Sequence, residues 1–297
     1  MDGKVWLVGA GPGDEGLLTI KAEKVLLKAD VLVYDHLVGK NIIVKYGAGK
    51  ELIHVGKTAG HHPIPQERIN RILVTEAEKG KKVVRLKGGD PFLFGRGGEE
   101  LMELSKHGIP FEVVPGVTSP LAVPAYNGIP VTHRDYASSL HIVSGHARSG
   151  KESSINYKVL VETKGTLVFL MGVTMLEVIM KGLVEAGMRP DMPAAILQEG
   201  TTARQRQVIA TVDTLVKKAE ESSVKPPALI VVGEVCQLAD RLVWYEKLPL
   251  MGMRVLLTRP KELISVMAEK LRNNGAEVLE IPTIDTVPID GNNALEE

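Results

Sequence analysis

The chain has 297 residues, of which 44% are hydrophobic and 24% charged, with 36 Lys plus Arg set against 36 Asp plus Glu. That length allows one large two-lobed domain or two domains, each with its own core, and a zero formal charge argues against a nucleic-acid binder while leaving room for a local basic pocket. The single cysteine, Cys236, excludes an internal disulfide and points to a cytoplasmic, reducing home; no signal peptide is read after Met1, and no apolar run reaches the roughly 20 residues that a membrane span needs.

Val5-Trp6-Leu7-Val8 opens the chain as a short apolar strand, followed by a Gly/Pro turn. Residues 17–27 carry Leu17, Leu18, Ala22, Val25 and Leu26 near helical spacing. Val31-Leu32-Val33-Tyr34 and Leu52-Ile53-His54-Val55 read as two further strands. Pro65 opens a helix whose Ile69, Ile72 and Leu73 share a face. Residues 82–86 form a strand, 99–107 a helix and 111–114 a strand. Strands alternating with helices predict a mainly parallel sheet with helices on its faces, an α/β fold.

Pro115-Gly116 breaks that rhythm, and 118–127 reads as a connecting helix. A second lobe follows, with strands near 140–143, 167–170, 194–197, 207–211 and 228–232. The strand at 207–211 comes without an intervening helix, so an antiparallel pair and a mixed sheet are expected. Residues 246–252 look like a linker. Beyond them Val255-Leu256-Leu257, a helix over 261–274 with Gly275 as its cap, and Val278-Leu279-Glu280-Ile281 make one β-α-β unit. A lone unit of that size cannot bury enough surface to stand by itself, so it either begins a longer domain or docks on the main body. The expected division is 1–116, 117–245, the linker 246–252 and the tail 253–297.

Two glycine loops follow strands directly. The first is Gly9-Ala10-Gly11-Pro12-Gly13-Asp14, and the second is Gly88-Gly89-Asp90-Pro91, which runs on to Gly95-Arg96-Gly97-Gly98. A dinucleotide fingerprint fails here, because Asp14 stands where its third glycine belongs and Pro12 lacks the N–H that would face a pyrophosphate. Bare backbone at two strand ends can still cradle one ligand across a cleft, with Asp90 as a hydrogen-bond acceptor. Taken alone, Asp35 is equally a capping residue, Met171 a core side chain, and Arg204 and Lys87 surface salt-bridge partners. His61-His62 reads as an exposed loop, and no spacing matches a common metal motif.

These residues resemble the tetrapyrrole (corrin/porphyrin) methylases. The resemblance rests on Val8-Gly9-Ala10-Gly11-Pro12-Gly13-Asp14 with Leu17-Leu18-Thr19, Tyr34-Asp35-His36-Leu37-Val38, Gly88-Gly89-Asp90-Pro91 and Val114-Pro115-Gly116-Val117-Thr118-Ser119. Four more segments resemble the branch of that family that methylates uroporphyrinogen III: 125–134, Gly145-His146, 166–172, and 198–202 with Gln205-Arg206. The likeness runs over roughly residues 3–245. The tail, through 255–260 and 275–278, resembles the opening of a uroporphyrinogen-III synthase, a domain far longer than this segment. Ser144 stands where a threonine is frequent and Ser119 where a small alanine-like residue is; a hydroxyl survives at the first and a usable backbone at the second.

The resemblance implies a two-lobed methylase fold, S-adenosylmethionine as methyl donor with S-adenosylhomocysteine as by-product, two methyl transfers to C-2 and C-7 of uroporphyrinogen III, no metal, and a homodimer. It assigns Asp35 and Lys57 to proton handling. Pro12, Gly88, Gly89, Asp90, Leu93, Thr118, Ser119, Met171 and Gly200 fall to the cofactor. Arg96, His133, Arg134, His146 and Arg206 are the candidates for the substrate's carboxylates. A corrin-pathway sister enzyme or an inert S-adenosylmethionine-binding module are the rival expectations. A basic face expected of an RNA methylase is missing from the composition, and a diphthine synthase has no reason to carry the tail.

Overall fold

The computed structural model describes residues 3–56, 64–145 and 155–284. Its first half forms a five-stranded sheet from β1 (Lys4–Gly9), β2 (Val31–Tyr34), β3 (Glu51–His54), β4 (Lys82–Lys87) and β5 (Phe111–Val114), in the order β3-β2-β4-β1-β5. Every pairing is parallel, as the alternation of strands and helices predicts. The connecting helices are α1 (Ile20–Lys28), α2 (Lys40–Gly47), α3 (Gln66–Glu78) and α4 (Gly97–Lys106).

Successive strand residues face opposite sides of a sheet, and two cores result. Val5, Leu7, Val31, Val33 and Val83 pack under Ile69, Leu73 and Leu104 of α3 and α4. Val8, Leu32, Val84 and Leu86 pack on the other side under Ala22, Leu26, Ile42 and Tyr46 of α1 and α2. The helix expected over 17–27 starts later. Residues Glu15–Leu17 form a short 3-10 turn, and α1 begins only after Thr19, whose Oγ1 accepts the Ala22 N–H at 3.1 Å. A side-chain cap of this kind fixes the first free amides and therefore the start of the helix.

α5 (Ser119–Tyr126) leads into a second sheet of β6 (Leu140–Ser144), β7 (Thr166–Leu170), β8 (Pro193–Gln198), β9 (Arg206–Thr211) and β10 (Ala228–Val232). Its order is β6-β7-β10-β8-β9. β6 and β7 run parallel, and the other three pairings are antiparallel, which makes the sheet mixed as expected. Helices α6 (Tyr157–Glu162), α7 (Leu176–Glu185) and α8 (Leu215–Glu221) cover one face. Val123 and Ile129, from α5 and the chain just after it, and Val235 and Cys236 fill the other.

After α9 (Ala239–Leu242) the tail forms β11 (Arg254–Leu257), α10 (Lys261–Asn273) and β12 (Glu277–Glu280), with the strands parallel. It has a small core of Leu257, Ile264, Ala268, Ala276 and Val278. It also docks on the first sheet's layer: Arg272 reaches Glu15 Oε1 at 2.8 Å, and β12 lies against α2.

The carboxyl ends of β1, β4 and β5 meet without side chains between them. A methyl group on Gly9 would stand 2.5 Å from the Gly116 Cα, and one on Gly116 would stand 2.3 Å from the Gly89 carbonyl oxygen. Gly11 and Gly89 exchange backbone hydrogen bonds at 3.3 and 2.7 Å. The two glycine loops therefore touch and brace one another, rather than facing across open space.

The crowding at Gly116 and the ion pairs at Glu112 each have a measurable effect on stability. Gly116→Ala forces a Cβ into backbone that cannot rotate away and should cost at least about 2 kcal/mol. Gly98→Ala, with nothing within 4 Å of the added carbon, should be neutral or gain up to about 1 kcal/mol. Equal melting temperatures for the two variants would contradict the close approach. The second effect concerns Glu112, whose carboxylate is brought from 4.5 down to about 2 chiefly by hydrogen bonds from Lys21 and Lys4. Because the folded-state value is depressed, this contribution is complete above about pH 4.5 and disappears as pH falls towards 2. With a third of the Glu112 side chain exposed, solvent holds it to about 0.5–1 kcal/mol. The stability gap between wild type and Glu112→Gln should be constant from pH 5 to 7 and close by pH 2–3 in denaturant titrations.

Candidate active site at the glycine loops

Ligands of open parallel sheets bind outside the carboxyl ends of the strands, and Pro12, Asp35, Gly88, Gly89, Asp90, Leu93, Thr118 and Ser119 follow such ends in the first sheet. Asp90 ties the second loop down. Its Oδ1 accepts the Phe92 and Leu93 N–H groups at 2.8 and 3.1 Å, and its Oδ2 accepts the Gly116 N–H at 3.1 Å. The carboxylate thus joins the loops after β4 and β5, and its remaining lone pairs are what a ligand would meet. Gly89, at φ 67°, has Ser119 N and Thr118 Cα as its nearest neighbours, 3.8 and 4.0 Å from where a Cβ would sit. Thr118 stands at the N-cap of α5 but makes no side-chain cap; Pro120 has no N–H, and Leu121 and Ala122 donate to the Thr118 carbonyl, which leaves the Ser119 N–H beside Gly89.

Asp35 follows β2 on the same edge. Its Oδ1 accepts the Leu37 N–H at 3.0 Å, and its Oδ2 pairs with Arg85 Nη2 at 3.2 Å. The side chain keeps 20% exposure, so it is a local turn cap with one oxygen engaged by a buried cation. Leu37 lies directly against Gly88, leaving a Cβ there only 2.7 Å. The turn bearing Asp35 is packed on the second glycine loop.

The second sheet supplies Met171 after β7 and Gly200 after β8. Met171 is 50% exposed at φ 55°, so the core reading of its side chain is wrong: the backbone turns it outward. Gly200 presses on Val123 of α5, with no room for a Cβ. Among the described residues seven non-glycines have positive φ, and five of them lie in these loops: Phe94, Arg96, Met171, Glu199 and Thr201. Strain of this kind persists where the surroundings enforce it and concentrates at functional sites.

The two halves are locked by Asp14. Its backbone N–H donates to Thr201 Oγ1 at 3.2 Å, and its Oδ2 accepts the Tyr126 hydroxyl at 2.8 Å. Gln205 closes the ring by accepting the Thr201 N–H at 2.9 Å and donating to the Tyr126 carbonyl at 3.2 Å. Tyr126 also packs on Trp244 and Tyr245. Burial, then the Asp14 charge, pushes its phenol well above the ordinary range, so it remains a donor.

Of the basic candidates, Arg96 caps α4 in the left-handed region, half-exposed, and holds Glu99 Oε2 at 2.5 Å. His133 accepts the Asp135 N–H at 3.1 Å, and Arg134 beside it is exposed. Arg206 lies at the β8–β9 edge, donating to Gln198 Oε1 at 3.1 Å beside a cavity of about 380 Å³ that Glu199, Arg204 and Gln205 also line. Arg204 is an exposed partner of Glu199, as expected. Lys57, His61, His62 and His146 lie outside the described residues. Lys87 is no surface residue. It is 5% exposed, and its ammonium contacts buried Glu100. The sequence carried a partial signal for this: Arg85 and Lys87 alternate on the same side of the strand as apolar Val83.

Comparisons with known proteins agree with this geometry. The family model for tetrapyrrole (corrin/porphyrin) methylases matches residues 4–216. The porphyrin biosynthesis protein HemD of Ruminiclostridium josui is 55% identical over 293 residues, 99% of this chain and 58% of that one. The siroheme synthase of Pseudomonas aeruginosa PAO1 is 50% identical over 244 residues, 82% of this chain and 52% of that one. A uroporphyrin-III C-methyl transferase from Thermus thermophilus, solved in complex with S-adenyl homocysteine, superposes with a TM-score of 0.67 at 41% identity, covering 78% of this chain and 93% of that one. The chain spans between half and three-fifths of the length of these two curated relatives. By the family match over residues 4–216 and these identities, the chain belongs to the tetrapyrrole methylase family.

Proposed function

We propose that this chain transfers methyl groups from S-adenosylmethionine to C-2 and C-7 of uroporphyrinogen III, giving precorrin-2 for sirohaem and cobalamin synthesis. The observation that carries the reading is the Asp35 carboxylate, partly open, on the same strand edge as two mutually bonded glycine loops. The names of the relatives support the substrate, and the complex of the Thermus thermophilus neighbour supports the cofactor.

The residues present fit a nucleoside sulfonium. Gly88 and Gly89 offer backbone without bulk, Pro12 follows Gly11 in the loop bonded to Gly89, the Ser119 N–H after Thr118 has no side-chain cap, and Leu93, Met171 and Gly200 give apolar or bare contact. Asp90 offers its remaining lone pairs to a cation or hydroxyl. When bound, the group supplies an electrophilic methyl on a sulfur that leaves as a neutral thioether. The protein's own work is then orientation and proton handling. Asp35, aimed by Arg85, accepts the proton lost when the methylated pyrrole system rearranges; Lys57 returns a proton or holds a carboxylate.

The macrocycle is apolar with a rim of carboxylates. Exposed Leu37, Phe92, Phe94 and Met171 on the surrounding loops suit its face. Arg96, His133, Arg134, His146 and Arg206 are the hydrogen-bonding groups for its rim. The linker 246–252 and the tail 253–297 are assigned as the junction to, and the start of, a synthase-like domain. A domain that makes uroporphyrinogen III is a sensible neighbour for one that consumes it. The working state is a cytoplasmic homodimer. Among the described residues no helix is long and apolar enough to cross a membrane.

Anaerobic incubation with uroporphyrinogen III and S-adenosylmethionine should yield a dimethylated, chlorin-like chromophore. Asp35→Asn should lower kcat by about 100-fold or more while S-adenosylhomocysteine affinity stays within about threefold. Cofactor binding without turnover by the wild type would favour an inert module. Full turnover by Asp35→Asn would remove that residue from the chemistry.

A further inference from the structure

Behind Asp35 lies a buried chain of charge. Strand alternation puts Val83, Arg85 and Lys87 of β4 on the side that packs under α3 and α4. Val83 joins the apolar core there, while Arg85 and Lys87 are 4% and 5% exposed. Glu100, in the first turns of α4, is 0% exposed. Its Oε1 accepts from Arg85 Nε at 3.1 Å, Lys87 Nζ at 3.1 Å and Gln66 Nε2 of α3 at 3.2 Å, and its Oε2 accepts from Lys87 at 3.2 Å. Arg85 then reaches forward through Nη2 to Asp35, while Nη1 donates to the Leu86 carbonyl at 2.9 Å.

Removing charges from water is expensive, and a buried ion pair seldom repays it in stability over an apolar replacement. The arrangement has another consequence. Lys87 engages both oxygens of Glu100, so Glu100 is neutralised without sole claim on Arg85. Arg85 is left to answer Asp35. Without the ammonium, Glu100 would draw the guanidinium to itself, and the hold on Asp35 would slacken.

We propose that Lys87 and Glu100 are positioning residues for the methyl transfer: by balancing one another behind β4 they leave the Arg85 guanidinium to orient the Asp35 carboxylate at the cleft. This rests on the reading of Asp35 as the proton acceptor. The charged groups facing the Lys87 ammonium are Arg85 from its own strand, Glu100 from α4 and Asp35 from the turn after β2; α3 adds the uncharged Gln66. Burial, then repulsion from Arg85, draws the ammonium below the ordinary lysine range, against the pull of Glu100 and Asp35. Lys87 is charged at low pH, so the balance fails as pH rises, and sooner than it would for a solvated lysine.

The test uses Lys87→Met, Lys87→Arg and Glu100→Gln in the full chain. It measures kcat, both KM values, S-adenosylhomocysteine affinity and melting temperature from pH 6 to 10. Lys87→Met should lower kcat about tenfold near pH 7, with S-adenosylhomocysteine affinity within about twofold, since the glycine loops are untouched. Lys87→Arg keeps a charge that does not titrate in this range; it should hold kcat within about threefold and move the alkaline fall to higher pH. Glu100→Gln removes the anion that retains the lysine's proton and should move that fall to lower pH. Should Lys87→Met fold poorly, the opposite displacements of the other two profiles still decide the matter. Wild-type kcat in a folded Lys87→Met, or a Lys87→Arg profile identical to wild type, overturns the proposal. An inactive Asp35→Asn beside a fully active Lys87→Met would sink this inference alone, whereas an active Asp35→Asn would sink the proton-acceptor reading itself.

Discussion

Backbone meeting backbone at Gly9, Gly89 and Gly116 is the constraint on which the rest of the molecule hangs. Three strand ends converge so closely that no side chain fits between them. Parallel strands are joined by crossover connections rather than tight hairpins, so nothing in the ladder itself brings the loops after them together. Here the loops fold onto each other, because Gly11 and Gly89 exchange hydrogen bonds and Asp90 pins the Gly116 amide. The same absence of Cβ atoms that allows the packing also leaves peptide groups bare at the cleft. Stability and ligand access therefore come from one feature.

A second-sheet counterpart extends the logic. Gly145 and Gly172, at the ends of the parallel pair β6 and β7, approach so that a methyl on Gly145 would lie 2.5 Å from the Gly172 Cα. Met171 is turned outward immediately before that contact. Asp14 then couples the halves through Thr201 and Tyr126. Its position in the first glycine loop means that a shift in one sheet is felt at the loop that contacts Gly89. The tail connects here too, since Arg272 holds Glu15, the residue after Asp14.

Much of this was legible in the chain. The strands of both sheets stand where apolar runs placed them, and the antiparallel return of β9 followed from the lack of a helix before it. α2, α6, α7 and α8 went unread. α2 has only Ile42, Ile43 and Tyr46 to mark a face, and α6 and α8 are two turns or fewer, too short for a 3.6-residue period to emerge. The start of α1 was misplaced because Thr19, a capping residue, sits inside a run of leucine and isoleucine. At the site, glycine spacing marked both loops, but it does not encode distance, and contact was mistaken for a facing pair. For Arg85 and Lys87, alternation put both on one side of β4 but did not say that the side was buried. A charge in a strand reads as exposed unless its partner is known, and Glu100 comes from another element.

That buried quartet sets side-chain orientation at the strand edge against stability. Apolar side chains at Arg85, Lys87 and Glu100 would continue the core of Val83, Leu73 and Leu104 without desolvating charge, and a fold selected only for stability would favour them. Removing just one member would be worse than either extreme, because it strands an uncompensated charge. The network is thus held as a unit or not at all. Its one outlet is Asp35, the only member of the four with appreciable exposure, at 20% against 0–6% for the others. Buried charges that terminate at a partly open carboxylate act on whatever occupies the cleft. A cost borne beneath α3 and α4 is what the proposed orienting of that carboxylate by Arg85 would require, since the network returns little as stability alone.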